Sequence, residues 1–527
     1  MDAKRIGLVL GPLAFALTAF TAPPAGMPGE AWLVAGLVVW MASWWMTEAL
    51  PLTVTALLPF IVLPFGGVST AAETAGTYYS PILFLLLGGA FIALCIERTG
   101  LHKRLSLAIL RVVGAGGGKT QLLLAFMIAA ALLSMLISNT STTLIMMPMA
   151  LAVLSGGVGT SLPSRPLPHP STPEDALLGV GVGERAARPG VSWDAGTTPD
   201  TQSQGSGRPH SAEASQDEAP ERDGLSGALP MGIAFASSIG GLGTIVGSPT
   251  NAIAIGLLDS GIGMRISFAQ WTLYGLPIVI VAVPIAAWII ARFQRVSEHP
   301  FDVAAAREAI ACSARWSAPE ARLTVIVALT FLAWMTRPLV APYLPGGSWG
   351  DGTIAIIAGF ALFLLPDGTG RPLLVWHEAN RAPWGIILMF GGGLALAAGM
   401  QQSGLAEWLG EALLPLGSWP LPLVALAIVA MIIVVTEFAS NVATASAIIP
   451  VVAALTIALG ADPILLAMPA ALASSWGFML PAGTGPNAIA WSTGRIRIER
   501  MVGAGFVLDL VGVVLIVAGV WAIAALV

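Results

Sequence analysis

Asparagine occurs only five times in the 527 residues, at Asn139, Asn251, Asn380, Asn441 and Asn487. Four of these stand in two matched contexts. Ser138-Asn139-Thr140 pairs with Ser440-Asn441-Val442, and Gly247-Ser248-Pro249-Thr250-Asn251-Ala252-Ile253 pairs with Gly483-Thr484-Gly485-Pro486-Asn487-Ala488-Ile489. Where such polar residues interrupt an apolar helix, the second half opens on free N–H groups with a partial positive charge, which attract anions. The first half ends on carbonyls, which together with Ser, Thr and Asn oxygens suit a hard cation such as Na⁺. Two breaks facing each other near the bilayer midplane make an anion site flanked by cation sites. Asparagine is also a good helix cap, so the plainer reading is capping alone. The two roles are compatible.

The stretches that carry these residues read as membrane helices. Of the chain, 56% is hydrophobic and 10% charged, against about 25% charged in soluble domains. The apolar spans lie near 6–22, 31–49, 51–66, 120–154, 229–258, 271–292, 323–341, 353–366, 421–459, 463–480 and 503–527. This predicts an all-α polytopic membrane protein with about 11 transmembrane helices. Residues 120–154 and 421–459 are too long for one crossing. At ~1.5 Å per residue they would extend roughly 50–60 Å against a core of about 30 Å, so each must break or turn back. The Ser-Asn triplets are the natural places. Two glycine-rich stretches, Ser80 to Ala93 and Pro383 to Gly399, are expected to be re-entrant hairpins turning at membrane depth. Basic clusters at Lys4-Arg5, Arg98 to Lys119, Arg292 to Arg322 and Arg495 to Arg500 place those segments, and the N-terminus, in the cytoplasm. Ile6 to Ala22 is read as a retained first helix rather than a signal peptide.

The matched motifs form an internal repeat. Gly89 and Gly392 are 303 residues apart, Asn139 and Asn441 are 302 apart, and the order of elements is the same in both halves. Asn139 to Asn251 spans 112 residues, whereas Asn441 to Asn487 spans 46. The excess of 66 nearly equals the polar segment 155–228, which holds ten acids and five arginines and is rich in Pro, Ser and Gly. That segment is expected to be a disordered, exposed insertion into the first repeat. Without it the chain carries 19 acidic and 19 basic residues and is neutral, so nothing points to nucleic acid.

No catalytic set is visible. Cys95 and Cys312 lack a partner motif, and the five histidines fall in or beside polar segments, so neither a metal centre nor an enzyme is expected and no cofactor is implied. Glu48 and Glu437 are the acids nearest the motifs, and both read as structural carboxylates near span ends rather than proton carriers. Trp40, Trp44 and Trp45 read as an interfacial belt.

The two Ser-Asn motifs, the two Pro/Asn loops, Thr47-Glu48-Ala49-Leu50-Pro51 and Thr436-Glu437-Phe438-Ala439 together resemble the divalent anion/sodium symporter family. The resemblance covers nearly the whole chain apart from 155–228. It implies an inverted-repeat fold with two hairpins and two broken helices, a homodimer in the lipid bilayer of the cell membrane, and an elevator motion. Scaffold helices would occupy 1–76 and 261–380, with the C-terminal helix at 496–527. Transport elements would occupy 77–154, 229–260 and 381–495. Carried over by position, one Na⁺ site would use Ser134, Ser138, Asn139 and Gly247, and the other Thr436, Ala439, Asn441 and Gly483. The anion would meet Ser138, Asn139, Thr140, Ser440, Asn441, Val442 and Thr484, with Ser248, Pro249, Asn251, Pro486 and Asn487 supporting the loops. Val442 stands where many members have Thr, and Thr250 and Gly485 each replace one proline of the family's tandem-proline loops. The expected function is secondary uptake of a dicarboxylate, citrate or sulfate with Na⁺. The alternatives are a related inverted-repeat ion antiporter, an arsenite-type permease or an uncoupled dicarboxylate exchanger.

Overall fold

The computed structural model describes residues 3–113, 117–157, 223–304 and 316–527. Among them there is no β-strand, and the helices follow the apolar runs. The first group is α1 (Ala3–Phe20), α2 (Gly29–Thr47), α3 (Leu52–Thr55), α4 (Leu58–Phe65) and α5 (Ala71–Thr77). The first repeat continues with α6 (Pro81–Thr99), α7 (Leu101–Val113), α8 (Lys119–Ser134), α9 (Asn139–Gly157), α10 (Leu225–Gly241) and α11 (Pro249–Ile262). Next come α12 (Phe268–Phe293), α13 (Ala318–Val340), α14 (Asp351–Leu364) and α15 (Trp376–Ala379). The second repeat holds α16 (Trp384–Gln402), α17 (Leu405–Leu413), α18 (Leu421–Phe438), α19 (Asn441–Ala458), α20 (Pro463–Ala473) and α21 (Gly485–Ser492), and α22 (Ile498–Ala524) closes the chain.

Among the described residues seven helices are long and apolar enough to cross a membrane, and several more, including α8, α10 and α20, are apolar but shorter. The shorter ones match half-spans, because a full crossing needs about 20 residues. On α13, Val325, Leu329 and Leu332 are 57–59% exposed at helical spacing. Such an exposed apolar stripe is what a membrane-spanning helix carries on its outer face.

The interruptions fall where the polar residues are. Residues 135–138 separate α8 from α9, and Ala439-Ser440 separate α18 from α19. The spans read as 229–258 and 463–480 are also interrupted: residues 242–248 lie between α10 and α11, and 474–484 between α20 and α21. The two re-entrant turns expected in the glycine-rich stretches are not there. Both α6 and α16 are unbroken helices of 19 residues. Their glycines serve close packing instead. A Cβ on Gly88 would lie 2.4 Å from the Ala355 carbonyl oxygen, and one on Gly392 would lie 2.2 Å from that of Ala56. Glycine lets a neighbouring backbone approach without requiring a turn.

The edges of the polar segment 155–228 are better ordered than its composition suggests. The α9 helix runs to Gly157 and α10 begins at Leu225. Asp223 is tied to Arg500 at 2.8 Å. The disorder expected of residues 158–222, and Cys312, lie outside the described residues. His102, expected among polar residues, is buried on α7, with Nδ1 3.0 Å from the Ile96 carbonyl.

Candidate functional site

The site is built twice, once from each repeat. In the first, α8 ends at Ser134 and α9 begins at Asn139, five residues on. Ser134 Oγ lies 2.7 Å from the Asn139 side-chain amide. In the second, Thr436 Oγ1 donates to Asn441 Oδ1 at 2.8 Å, again across five residues. The same side-chain pair therefore straddles both breaks.

Carbonyls from the loops complete each cluster. With its NH₂ turned inward, Asn139 donates to Ser134 Oγ at 2.7 Å, Gly247 O at 3.0 Å and Ser237 O at 3.1 Å. Thr436 Oγ1 lies 3.3 Å from Ser474 O, and a Cβ on Gly483 would lie 3.2 Å from the Glu437 carbonyl oxygen. A cluster of neutral oxygens, with no cationic side chain among those named, is a donor set that suits Na⁺ rather than a transition metal. Two glycines keep it open. A Cβ on Gly241 would lie 2.1 Å from the Asn139 side-chain amide, and one on Gly247 would lie 2.8 Å from Ser134 O.

The side-chain NH₂ groups of the loop asparagines brace the loops. Asn251 Nδ2 donates to Gly241 O at 2.7 Å and Thr244 O at 2.9 Å. Asn487 Nδ2 donates to Leu480 O at 3.1 Å. In both loops the acceptor is seven residues back, so one loop geometry is used twice. Thr244 Oγ1 bonds to Met135 O at 2.7 Å and accepts from Gly247 N at 3.1 Å, tying the first loop to the first break.

Four helices begin at the site, namely α9, α11, α19 and α21. Ser138 Oγ accepts from Ser141 N at 3.3 Å, Ser440 Oγ from Ala443 N at 3.2 Å and Thr484 Oγ1 from Asn487 N at 3.2 Å. Ser248 makes no such cap. The repeats interlock crosswise, with α9 packed on α21 and α11 on α19. Thr140 meets Gly485, whose Cβ would lie 2.6 Å from Thr140 Oγ1. Ser475 Oγ donates to Asn251 Oδ1 at 3.2 Å. Each repeat's Ser-Asn helix thus starts beside the other repeat's loop, which collects positive helix ends where one anion could be shared.

Not every expected residue sits alike. Ser138 faces a cavity together with Ser141, whereas Ser440, Asn441 and Thr484 do not line it. Val442 is half-buried and packs against the edge of the hydrophobic core. Glu437 is 2% exposed, and its carboxylate accepts from the backbone N–H groups of Phe478, Met479 and Leu480. It holds the unwound strand after α20, as a structural acid would. Glu48 is an exposed residue ending α2 at φ 49°. Among the described residues no group of three or more His, Cys, Asp or Glu is arranged to hold a metal.

Residues 3–527 match the family described as sodium:sulfate symporter transmembrane region. The chain belongs to that family. Its members are transporters, not enzymes. The sodium-dependent dicarboxylate transporter SdcS of Staphylococcus saprophyticus is 35% identical, over 98% of this chain and 91% of the relative. The protein of the same name from Staphylococcus aureus USA300 is 33% identical over the same shares. A solved structure, the YdaH transporter of Alcanivorax borkumensis, aligns at 13% identity and a TM-score of 0.46, covering 99% of this chain and 97% of that one.

Within this sodium:sulfate symporter family member, Ser237 and Ser474 supply carbonyls to the two clusters without having been anticipated. A signal was present. The doublets Ser237-Ser238 and Ser474-Ser475 precede Asn251 and Asn487 by nearly equal distances.

Proposed function

We propose that this chain is a secondary active carrier that moves a divalent anion together with Na⁺, with a dicarboxylate such as succinate preferred to sulfate or citrate. The matched Ser134–Asn139 and Thr436–Asn441 pairs, each beside a loop carbonyl cluster, carry this reading. Na⁺ binds first, one ion at Ser134, Ser138, Asn139 and Gly247, joined by Ser237 O. The other binds at Thr436, Ala439, Asn441 and Gly483, joined by Ser474 O. The dianion then rests against Ser138, Asn139, Thr140, Ser440, Asn441, Val442 and Thr484, with the loops held by Ser248, Pro249, Asn251, Pro486 and Asn487. Burying a double negative charge is costly without compensation. Na⁺ and the helix ends supply it, because the breaks carry no Lys or Arg.

The names of the two relatives, both sodium-dependent dicarboxylate transporters, support the choice of substrate class and coupling ion. Access alternates by an elevator motion of 77–154, 229–260 and 381–495 against 1–76, 261–380 and 496–527. The protein works as a homodimer in the cell membrane, with its N-terminus in the cytoplasm.

Uptake of radiolabelled succinate and sulfate into proteoliposomes tests this. Succinate uptake is expected in a Na⁺ gradient and to fall at least about tenfold when choline replaces Na⁺, the equivalent of losing roughly 1.4 kcal/mol of coupling. Uptake unchanged in choline or K⁺ refutes Na⁺ coupling.

A further inference from the structure

A cavity of about 220 Å³ leads from the protein surface to Ser138. Its lining is mostly apolar, with Leu86, Ala90, Ile137 and Ile386 among others, and includes Ser138 and Ser141. Ser138 Oγ donates to Ser141 Oγ at 2.9 Å, so the lining is polar at the start of α9. Two charged residues line it, Glu97 in the last turn of α6 and Arg381 just before α16. Arg381 Nη2 donates to Glu97 Oε1 at 3.1 Å, and the side chains are 53% and 39% exposed.

The neighbouring arginines are differently placed. Arg98 reaches Asp367 and Glu378, and Arg371 reaches Glu378 at 2.7 Å, all on the loop side of α6. Among the described residues that line the cavity, Arg381 is the one cation. An exposed pair such as Arg381–Glu97 is worth little to stability, so exchanging one carboxylate for another costs little. Arginine presents a planar fork that matches a carboxylate in two bonds.

We propose that Arg381 is the capture residue for the anion. It leaves Glu97 to bind one carboxylate of a dicarboxylate at the cytoplasmic side, beside the Arg98 to Lys119 cluster, and exchanges it with Ser138 and the α9 end across the cavity. Glu97 holds the guanidinium at the mouth between visits and competes for it. This rests on the anion-carrier reading above and adds a residue that no part of the symmetric site supplies. The plain alternative is that the pair only staples α6 to the segment before α16.

The two differ in kinetics, because charges at a rim act on association and on its salt dependence rather than on dissociation. Stopped-flow intrinsic fluorescence of the purified full chain in detergent would follow succinate binding at fixed Na⁺, with ionic strength raised by choline chloride. For wild type, the association rate constant falls as salt screens the charges. In R381Q it is expected about fivefold lower at low ionic strength and nearly flat with salt, with the dissociation rate constant within about twofold. R381K keeps most of the wild-type rate, and E97Q raises it about twofold. Wild-type association in R381Q, or a loss carried by dissociation alone, overturns the proposal. Should R381Q fail to fold, an E97Q rate at or below wild type overturns it equally. If wild type binds no succinate in Na⁺, the dicarboxylate reading and the capture role fall together. If wild type binds and R381Q behaves identically, only the capture role falls.

Discussion

Gly485 and Thr140 come from opposite repeats and touch where the second loop meets the start of α9. A Cβ at 485 would lie 2.6 Å from Thr140 Oγ1 and 3.3 Å from its Cγ2, so a larger residue there pushes the start of α9 away from the second loop. G485A is therefore expected to weaken succinate uptake and lower the melting temperature, and T140A should restore part of the melting temperature. A double-mutant cycle should give a coupling energy of about 1 kcal/mol, as residues in contact do. Additive effects in the melting measurement would mean that the two repeats do not meet at this point. Asn139 and Asn441 were legible at this scale because the chain uses asparagine so sparingly. The partners Ser237 and Ser474 were not, because they contribute backbone carbonyls, which every residue possesses.

At the scale of elements, the glycine-rich helices show how one composition admits two structures. Glycine permits a turn and also permits close contact, and the local sequence does not say which is used. In α6 and α16 the flanking residues form an uninterrupted helix, and the glycines receive other backbones. Gly392 lies against Ala56, whose carbonyl also accepts from the Tyr78 hydroxyl at 2.6 Å. G392A should consequently cost about 1–3 kcal/mol, the usual penalty of overpacking. Thermal unfolding in detergent should show it as a clear drop in midpoint. G29A, where nothing lies within 4 Å of the added methyl, should leave the midpoint unchanged. Equal behaviour of the two variants would contradict the packing role.

Across the whole molecule, the described site residues all lie outside 158–222. The structured edges of that segment are fastened independently, through Asp223 to Arg500 and through Arg495 to Ser226 at 2.9 Å. Replacing 160–220 by a short Gly/Ser linker is expected to leave succinate uptake within about twofold of wild type, since long surface insertions are tolerated cheaply. Loss of uptake with normal expression and folding would assign the segment a part in transport.

The membrane class, the duplication, the two polar breaks and the oxygen-bearing residues beside them were determined by sequence alone. Lipid demands long apolar runs, and unsatisfied backbone at membrane depth demands polar residues at each interruption. Only the tertiary structure decided which helix each break meets. The crosswise packing of α9 on α21 and α11 on α19 joins residues hundreds of positions apart. It also decided that the glycines pack rather than turn. Contacts of that range depend on the shape of both partners, and no local pattern of residue types encodes them.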